Sequence, residues 1–204
     1  MTFRAVIFDI GGVLEVTEQM DFDIHWERRL GLERGQLIGR LADVWLSGSI
    51  GTITESAFRD VIIDRLALSP DSADELIADI WRQYLGVANK ELIAYAKTLR
   101  PQYRTGIISN SFVGAREREQ HAYGFEDLVD DVIYSHEVGI TKPDPEIYAM
   151  ACARLDVDPH QVIFIDDAQI ALDGAAGAGM TTIHHADNAT TIAALNALLG
   201  NSKL

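Results

Sequence analysis

The chain has 204 residues, of which 48% are hydrophobic and 24% are charged, and this composition excludes a chain that is mostly disordered. A single hydrophobic core can serve a chain of this length, so we expect one α/β domain with a modest insertion. The formal net charge is −14. A surface this negative repels nucleic acid and anionic membranes, and we therefore expect neither as a partner.

Five short apolar runs are predicted to be buried strands because of their length and β-branched content. In chain order they are Arg4–Ile10, Arg104–Ile108, Asp131–Tyr134, Gln161–Ile165 and Met180–His184. Helical patterns lie between and after them, near Asn89–Leu99, Phe112–His121, Pro145–Leu155, Ile170–Ala178 and Thr190–Leu199. Strands that alternate with helices favour a doubly wound parallel sheet of the Rossmann-like α/β class.

The first interval of the chain departs from this alternation. No convincing strand is predicted between Leu14 and Val87, and amphipathic patterns there indicate about four helices. These helices are predicted near Ile24–Leu30, Arg34–Leu46, Glu55–Leu66 and Ser72–Tyr84. A helical module inserted after the first strand would lie over the carboxyl edge of the sheet, where ligands bind in open α/β folds. We therefore predict a cap domain at residues 15–87 and a core domain at residues 1–14 and 88–204.

Four short segments carry the residues with chemical function, each at the carboxyl end of a predicted strand or in the loop that follows. They are Phe8–Leu14 with Asp9, Gly11 and Gly12; Ile107–Ser111 with Ser109 and Asn110; Thr141–Pro145 with Lys142; and Phe164–Asp167 with Asp166 and Asp167. The two glycines permit a tight turn whose backbone amides can approach an anion. Because parallel strands bring their carboxyl ends to one edge of the sheet, we expect the four segments to form a single site.

The side chains of this predicted site match the needs of phosphoryl transfer, which depends on positioning and charge neutralisation. Asp9 and one of the paired acids, Asp166 or Asp167, can share a Mg²⁺ ion, because magnesium prefers hard oxygen ligands. Without a cation these adjacent carboxylates would repel one another. Lys142 adds a second positive charge, and Ser109 can donate a hydrogen bond to a phosphoryl oxygen. We expect Asp9 to attack phosphorus and form an aspartyl-phosphate, which water then cleaves.

The four segments, in this order and spacing, resemble those of the haloacid dehalogenase superfamily, in its subfamily with a helical cap inserted after the first strand. The resemblance rests on the stretches FDIGGVL, SNS, KPDPEIY and FIDD…GAAGAGM and covers nearly the whole chain. It implies that Asp9 is the nucleophile and that Ser109 and Lys142 take the family's hydroxyl and lysine positions. It also implies that Asp166 and Asp167 hold magnesium, and that the cap screens the site from bulk water.

Two positions depart from the pattern of this family. Its phosphatases usually carry a second aspartate two residues after the nucleophile, as general acid and base, and this chain has Gly11 there. Acid–base help contributes roughly a hundredfold to ten-thousandfold to a rate, so the replacement matters. The family's magnesium contact at this position is a backbone carbonyl, which Gly11 keeps. A polar residue usually follows Asp167 by four positions, where this chain has Ala171, with Asp173 two residues further.

Three functions are compatible with glycine at this position. The favoured one is a phosphatase of a small phosphorylated metabolite such as a sugar phosphate, with the proton supplied by water, a cap residue or an easily released leaving group. The second is a 2-haloacid dehalogenase, since a halide needs no proton; relatives of that kind take an arginine from the cap, for which Arg28, Arg29 and Arg40 are available. The third is a protein that binds phosphorylated ligands with little turnover. A phospho-accepting signalling receiver is disfavoured because the paired acids come late in this chain.

The remaining features favour structural roles. The single cysteine, Cys152, lies in an apolar helical pattern and is expected to be buried, and without an internal disulfide the chain suits a reducing cytoplasm. The amino terminus is typical of neither a signal peptide nor a membrane span.

The charged run Arg116–Glu119 is expected to be an exposed helix face. His184 and His185 are interpreted as a partly exposed strand end, although either could supply the missing acid–base group. The oligomeric state is left open between a monomer and a homodimer.

Overall fold

A computed structural model describes residues 2–200 of the chain. The strands form one five-stranded sheet and one two-stranded sheet. In chain order they are β1 (Ala5–Phe8), β2 (Glu15–Val16), β3 (Val87–Ala88), β4 (Arg104–Ser109), β5 (Asp131–Tyr134), β6 (Val162–Asp166) and β7 (Thr181–His184). The large sheet contains the five strands that the sequence predicts, which confirms the α/β class.

The large sheet has the strand order β5-β4-β1-β6-β7, and all its neighbouring pairs are parallel. β1 lies in the centre, where Ala5 pairs with Arg104 on one side and with Val162 on the other. The chain extends the sheet first from one side of β1 and then from the other. The crevice beyond the carboxyl end of β1 is therefore the point where ligands bind in doubly wound folds.

Eleven α-helices connect these strands within the described residues. They are α1 (Phe22–Leu30), α2 (Gln36–Ser49), α3 (Glu55–Leu66), α4 (Pro70–Tyr84), α5 (Lys90–Leu99), α6 (Ala115–Tyr123), α7 (Phe125–Leu128), α8 (Ser135–Val138), α9 (Pro145–Leu155), α10 (Gln169–Gly177) and α11 (Asn188–Leu199). Local sequence explains several starts: the side chains of Thr54 and Ser69 accept backbone hydrogen bonds at the first turns of α3 and α4, and Pro70 opens α4. Between residues 2 and 200, no helix has the length and apolar character that crossing a membrane requires.

The predicted elements agree with the structure except at some ends and in one interval. Asp131–Tyr134, Pro145–Leu155 and Glu55–Leu66 have the predicted bounds. The expectation that no strand lies between Leu14 and Val87 is wrong, because Glu15–Val16 forms β2 and pairs antiparallel with β3. A two-residue strand is too short to show an alternating pattern, and its partner is distant in the sequence.

Side chains on the two faces of the large sheet enter two separate hydrophobic clusters, as the alternation along a strand requires. Val6 and Phe8 of β1 pack with Leu92 of α5 and Leu195 of α11. Ala5 and Ile7 face the other way and pack with residues of α9 and α10. The sheet is thus a middle layer between two helical layers, and all four residues of β1 are fully buried.

Helices α1 to α4 share a third hydrophobic cluster, which includes Trp26, Leu41, Phe58 and Leu76. Phe112, from the loop that follows β4, also belongs to this cluster. The Phe112 ring lies so close to Gly48 of α2 that a β-carbon at position 48 would overlap it. This helical group therefore rests directly on the loop that begins at Asn110.

Candidate active site

Three acidic residues meet at the carboxyl edge of the large sheet. Asp9 follows β1 directly, Asp166 is the last residue of β6, and Asp167 comes next in the chain. Since β1 and β6 are parallel neighbours, residues from opposite ends of the chain arrive at one place. Carboxylate oxygens of Asp9, Asp166 and Asp167 lie within 4.8 Å of one another.

Lys142 joins two of these carboxylates. Its Nζ lies 2.7 Å from Oδ1 of Asp9 and 2.6 Å from Oδ2 of Asp166. Lys142 is 6% exposed, Asp9 8% and Asp166 fully buried. Removing these charges from water is costly, and close contact between the charged groups together with further hydrogen bonds offsets that cost. The lysine thus offsets part of the negative charge that the acids concentrate here.

The loop Thr141–Pro145, which we name the lysine loop, is fixed from two sides. Asn110 accepts a hydrogen bond of 2.8 Å from the backbone N–H of Lys142 and donates one of 3.0 Å to its carbonyl. On the other side, a β-carbon added to Gly174 of α10 would lie 2.8 Å from the Pro143 β-carbon. Asn110 and Gly174 were not predicted to hold this loop, because both contacts depend on packing between distant segments.

The environment of Asp9 changes its acidity. Burial raises the pKa of Asp9 to about 6, although the Lys142 ammonium opposes the change and the Asp166 carboxylate adds to it. The backbone N–H of Asp9 donates a hydrogen bond of 2.9 Å to the Ile165 carbonyl, which fixes its place at the strand end. Asp9 is therefore a constrained carboxylate at the centre of the site, close to the other charged groups.

The donor set of this cluster fits a hard divalent cation. Its carboxylates supply oxygen atoms, which Mg²⁺ and Ca²⁺ prefer, and they lie close enough to share one ion. Oδ1 of Asp166 already accepts a hydrogen bond of 2.8 Å from the Ala168 N–H. Asp167 is exposed, so the cluster is open to solvent on its side.

The two glycines after Asp9 differ in their surroundings. Gly12 has a φ of +72°, and a β-carbon there would collide with the Asp167 carboxylate. Gly12 therefore allows the backbone to turn close beside the acids. A β-carbon on Gly11 would meet nothing within 4 Å. The position two residues after Asp9 is consequently open space, without a side chain to move a proton.

A cavity of about 200 Å³ extends from this open space, and Gly11, Ser109 and Asn110 line part of its wall. Glu15 and Glu119 lie on another part of the wall. Each is nearly fully buried, and each has one carboxylate oxygen with no hydrogen-bond partner among residues 2–200. Burial raises the pKa of Glu119 to about 8 and also raises the pKa of Glu15. The expectation that Arg116–Glu119 is an exposed face is wrong for Glu119, because its helical position turns inward toward the cavity.

Other candidate residues lie outside the acidic cluster. Ala171 is buried, and Asp173 accepts a hydrogen bond of 2.8 Å from Gln169 on the surface of α10. His184 is exposed, whereas His185 is buried and its Nδ1 lies 2.8 Å from the Thr191 hydroxyl. The three cap arginines of the dehalogenase hypothesis, Arg28, Arg29 and Arg40, are all exposed. The histidine pair was expected to be partly exposed. In the structure His184 is exposed and His185 is buried.

Comparisons with known proteins identify the family and the fold of the chain. The sequence model of a hydrolase family, described as haloacid dehalogenase-like hydrolase, matches residues 3–179. A phosphatase of Mycobacterium tuberculosis, MT3486, is 29% identical over 188 residues, which cover 88% of this chain and 86% of that protein. The rat bifunctional epoxide hydrolase 2 is 26% identical over 98% of this chain, but the chain spans only 39% of that enzyme's length.

A solved structure from Bacteroides thetaiotaomicron shares the fold. It is a HAD family enzyme in complex with magnesium and inorganic phosphate, and it superposes with a TM-score of 0.77. The superposition covers 93% of this chain and 98% of the Bacteroides chain, and the two sequences are 22% identical. Together with the family match over residues 3–179, these findings show that the chain belongs to the haloacid dehalogenase-like hydrolases.

Proposed function

We propose that this hydrolase is a Mg²⁺-dependent phosphatase that cleaves a small phosphorylated metabolite through an aspartyl-phosphate on Asp9. The observation that carries the proposal is the convergence of Asp9, Asp166 and Asp167 within 4.8 Å, with Lys142 bonded to two of them. Transfer of a phosphoryl group to a carboxylate nucleophile requires concentrated positive charge, which this arrangement can supply.

Each proposed catalytic role follows from a position at the sheet edge. An oxygen of Asp9 attacks phosphorus, the bond to the leaving oxygen breaks, and water then cleaves the aspartyl-phosphate. Lys142 holds Asp9 in place and faces the phosphoryl oxygens with its charge. Ser109, at the end of β4, donates a hydrogen bond to one of these oxygens. Backbone amides around Gly11 and Gly12 complete the anion site.

The proposed metal site uses the same edge. Carboxylates of Asp9, Asp166 and Asp167 would hold Mg²⁺ together with the backbone carbonyl of Gly11. When bound, the cation would neutralise charge on the phosphate and so lower the barrier to approach by a carboxylate. The support for this assignment is the oxygen-only donor set and its close spacing.

Helices α1 to α4 supply one wall of the proposed substrate site, and the loop after β4 supplies another part of it. We propose residues 15–87 as a cap over a core of residues 1–14 and 88–204. The cap would exclude water, which strengthens electrostatic interactions at the phosphate. The side chain of Asn110 holds the lysine loop, and Asn110 also lines the cavity beside Gly11. A cytoplasmic location and a monomeric or homodimeric state remain predictions from the sequence.

The proposal is tested by phosphate release from p-nitrophenyl phosphate with and without Mg²⁺. The wild-type protein should release phosphate only with the metal, and Asp9→Asn should reduce release to background, because an amide is a poor nucleophile. Asp173→Asn is the matched control, since Asp173 is an exposed aspartate whose partner is Gln169. Equal activity of Asp9→Asn and wild type would refute the assignment of the nucleophile.

Dehalogenation of a 2-haloacid is the second candidate, and the open space at Gly11 favours it because a halide leaves without a proton. The cap arginines weigh against it. Arg29 pairs with Glu75 at the surface, and Arg28 and Arg40 are also exposed. Chloride release from 2-chloropropionate, without added metal, would support dehalogenation. Phosphate binding without any turnover would instead support a binding protein.

A further inference from the structure

A second cavity, of about 610 Å³, lies between helices α1 to α4 and the loop after β4. Its wall is almost wholly hydrophobic and rich in aromatic residues. The aromatic residues that line it are Phe22, Trp45, Phe58, Trp81, Tyr84 and Phe112. Ligand pockets in proteins have volumes of about 300–1,000 Å³, so the cavity is large enough for an organic group of moderate size.

The apolar cavity adjoins the smaller cavity that lies beside the proposed phosphate site. Met20, Tyr84 and Asn110 line both this cavity and the smaller one beside Gly11 and Ser109. A phosphoryl group at Asp9 would therefore direct its organic part past Asn110 and into the apolar cavity. These shared wall residues make the organic part of the substrate, rather than a partner protein, the proposed occupant.

Three polar side chains on the cavity wall, those of Ser49, Asn110 and Ser111, already have hydrogen-bond partners. The Ser111 hydroxyl lies 2.7 Å from Nδ1 of His136, and the Ser49 hydroxyl donates a 2.9 Å hydrogen bond to the Leu46 carbonyl. Asn110 uses its amide oxygen and nitrogen on the backbone of Lys142. A sugar placed here would find few groups for its hydroxyls, and each hydroxyl left without a partner weakens binding by roughly tenfold.

Trp45 contributes its aromatic ring to the wall of the cavity. The indole Nε1 of Trp45 is buried and makes no hydrogen bond with any residue between 2 and 200. The Trp45 ring packs against Phe58 and Phe112, with ring centroids 5.2 and 5.1 Å away. The faces of these aromatic rings suit an apolar ligand better than one with many hydroxyls.

We propose that the substrate is a phosphate monoester of an apolar alcohol or phenol, whose hydrocarbon part occupies this cavity. The inference rests on the proposed phosphatase function and narrows its substrate class. The hydrocarbon part gains binding by leaving water, in proportion to its buried apolar area. The phosphoryl group remains at the acidic cluster, at the polar end of the same path.

The experiment compares kcat/KM for n-alkyl phosphates from ethyl to octyl with that for glycerol phosphate and glucose 6-phosphate. We expect kcat/KM to rise about fourfold for each added methylene, the equivalent of about 0.8 kcal/mol, until the cavity is full. Both polar phosphates should be poorer substrates than butyl phosphate. A flat dependence on chain length, or a preference for glucose 6-phosphate, would overturn the inference while leaving the phosphatase function intact.

A charged variant tests the location of the hydrocarbon part. Ile38 lines the cavity and is 37% exposed, so Ile38→Glu should fold and should place a carboxylate at the wall. Leu198→Glu on α11 is the matched control, because Leu198 is 39% exposed and does not line the cavity. We expect Ile38→Glu to remove the chain-length dependence while ethyl phosphate is still cleaved, and Leu198→Glu to keep that dependence. Identical chain-length profiles in both variants would contradict the assignment.

Binding measurements distinguish the proposal of a phosphatase function from the proposal of an apolar substrate site. Alkyl phosphonates cannot be hydrolysed, and their binding can be followed through tryptophan fluorescence because Trp45 and Trp81 line the cavity. Affinity that rises with chain length in a protein that hydrolyses no phosphate would retain the apolar site and reject the phosphatase function. Affinity that does not change with chain length would reject the apolar site in either case.

Discussion

Glu119 provides a quantitative test of the electrostatics beside the proposed site. It is 1% exposed and one of its carboxylate oxygens has no partner among the described residues. Its pKa rises from the ordinary 4.5 to about 8, mainly through burial, with further contributions from the carboxylates of Glu15 and Asp9. The folded protein therefore keeps a proton on Glu119 at a pH where the unfolded chain has lost it. Glu119→Gln removes this titration and keeps the shape of the side chain.

The size and sign of the effect follow from linkage between protonation and folding. Stability from the protonated Glu119 is fully present below pH 4.5 and is lost as the pH rises toward about 8, because only the unfolded chain ionises in that window. Each pH unit in the window lowers the free energy of unfolding by about 1.4 kcal/mol. At pH 7 the wild-type protein should have lost about 3 kcal/mol relative to pH 4.5, a loss that Glu119→Gln avoids.

Urea unfolding followed by circular dichroism at pH 5, 6, 7 and 8 measures this difference. The free energy of unfolding of Glu119→Gln should exceed that of the wild type by an amount that grows with pH. Glu117→Gln, an exposed position on the same helix, is the control and should follow the wild-type profile. Parallel profiles for wild type and Glu119→Gln would refute the buried, protonated state that we assign to Glu119.

Three glycine substitutions test the geometry of the site. Gly12→Ala should abolish turnover with a modest loss of stability, measured as kcat and Tm, because φ is +72° and the new methyl group would collide with the Asp167 carboxylate; near-normal kcat would contradict this. Gly174→Ala should displace the lysine loop and raise KM for p-nitrophenyl phosphate, whereas Gly177→Ala on the same helix, with no atom within 4 Å, should leave KM unchanged. A β-carbon at Gly11 meets nothing within 4 Å, and Gly11→Asp should raise kcat for alkyl phosphates by about tenfold, but not for p-nitrophenyl phosphate, whose leaving group needs no proton. Equal effects of Gly11→Asp on both substrates would contradict a missing acid–base group.

The large sheet and the convergence of the acids were predictable from the sequence because they follow from a general rule of topology. Buried apolar runs define the strands, and parallel neighbours place Asp9 and Asp166 at one edge although they are far apart in the chain. The bounds of β5 and α9 were also predictable, since clear patterns begin and end there. Each of these inferences needs only local periodicity and strand order.

Other features depend on contacts that no local pattern encodes. Glu119 lies in the charged run RERE, which is typical of a solvated helix face, and only the packing of α6 shows that this one residue points inward. The two-stranded sheet of Glu15–Val16 and Val87–Ala88 joins segments that enclose four helices. The apolar cavity likewise arises where Phe112 meets aromatic residues of α2 and α3, which a pattern of separate helices does not predict.

The central claim is that Asp9 becomes phosphorylated during turnover. The direct measurement is peptide mass spectrometry of the protein after acid quench of a reaction with p-nitrophenyl phosphate and Mg²⁺. We predict a phosphoryl group on the peptide that contains Asp9, transient in the wild type and absent when Mg²⁺ is withheld or when Asp9 is replaced by Asn. Sustained phosphate release with no phosphoryl group ever detected on Asp9, or undiminished release by Asp9→Asn, would contradict the account.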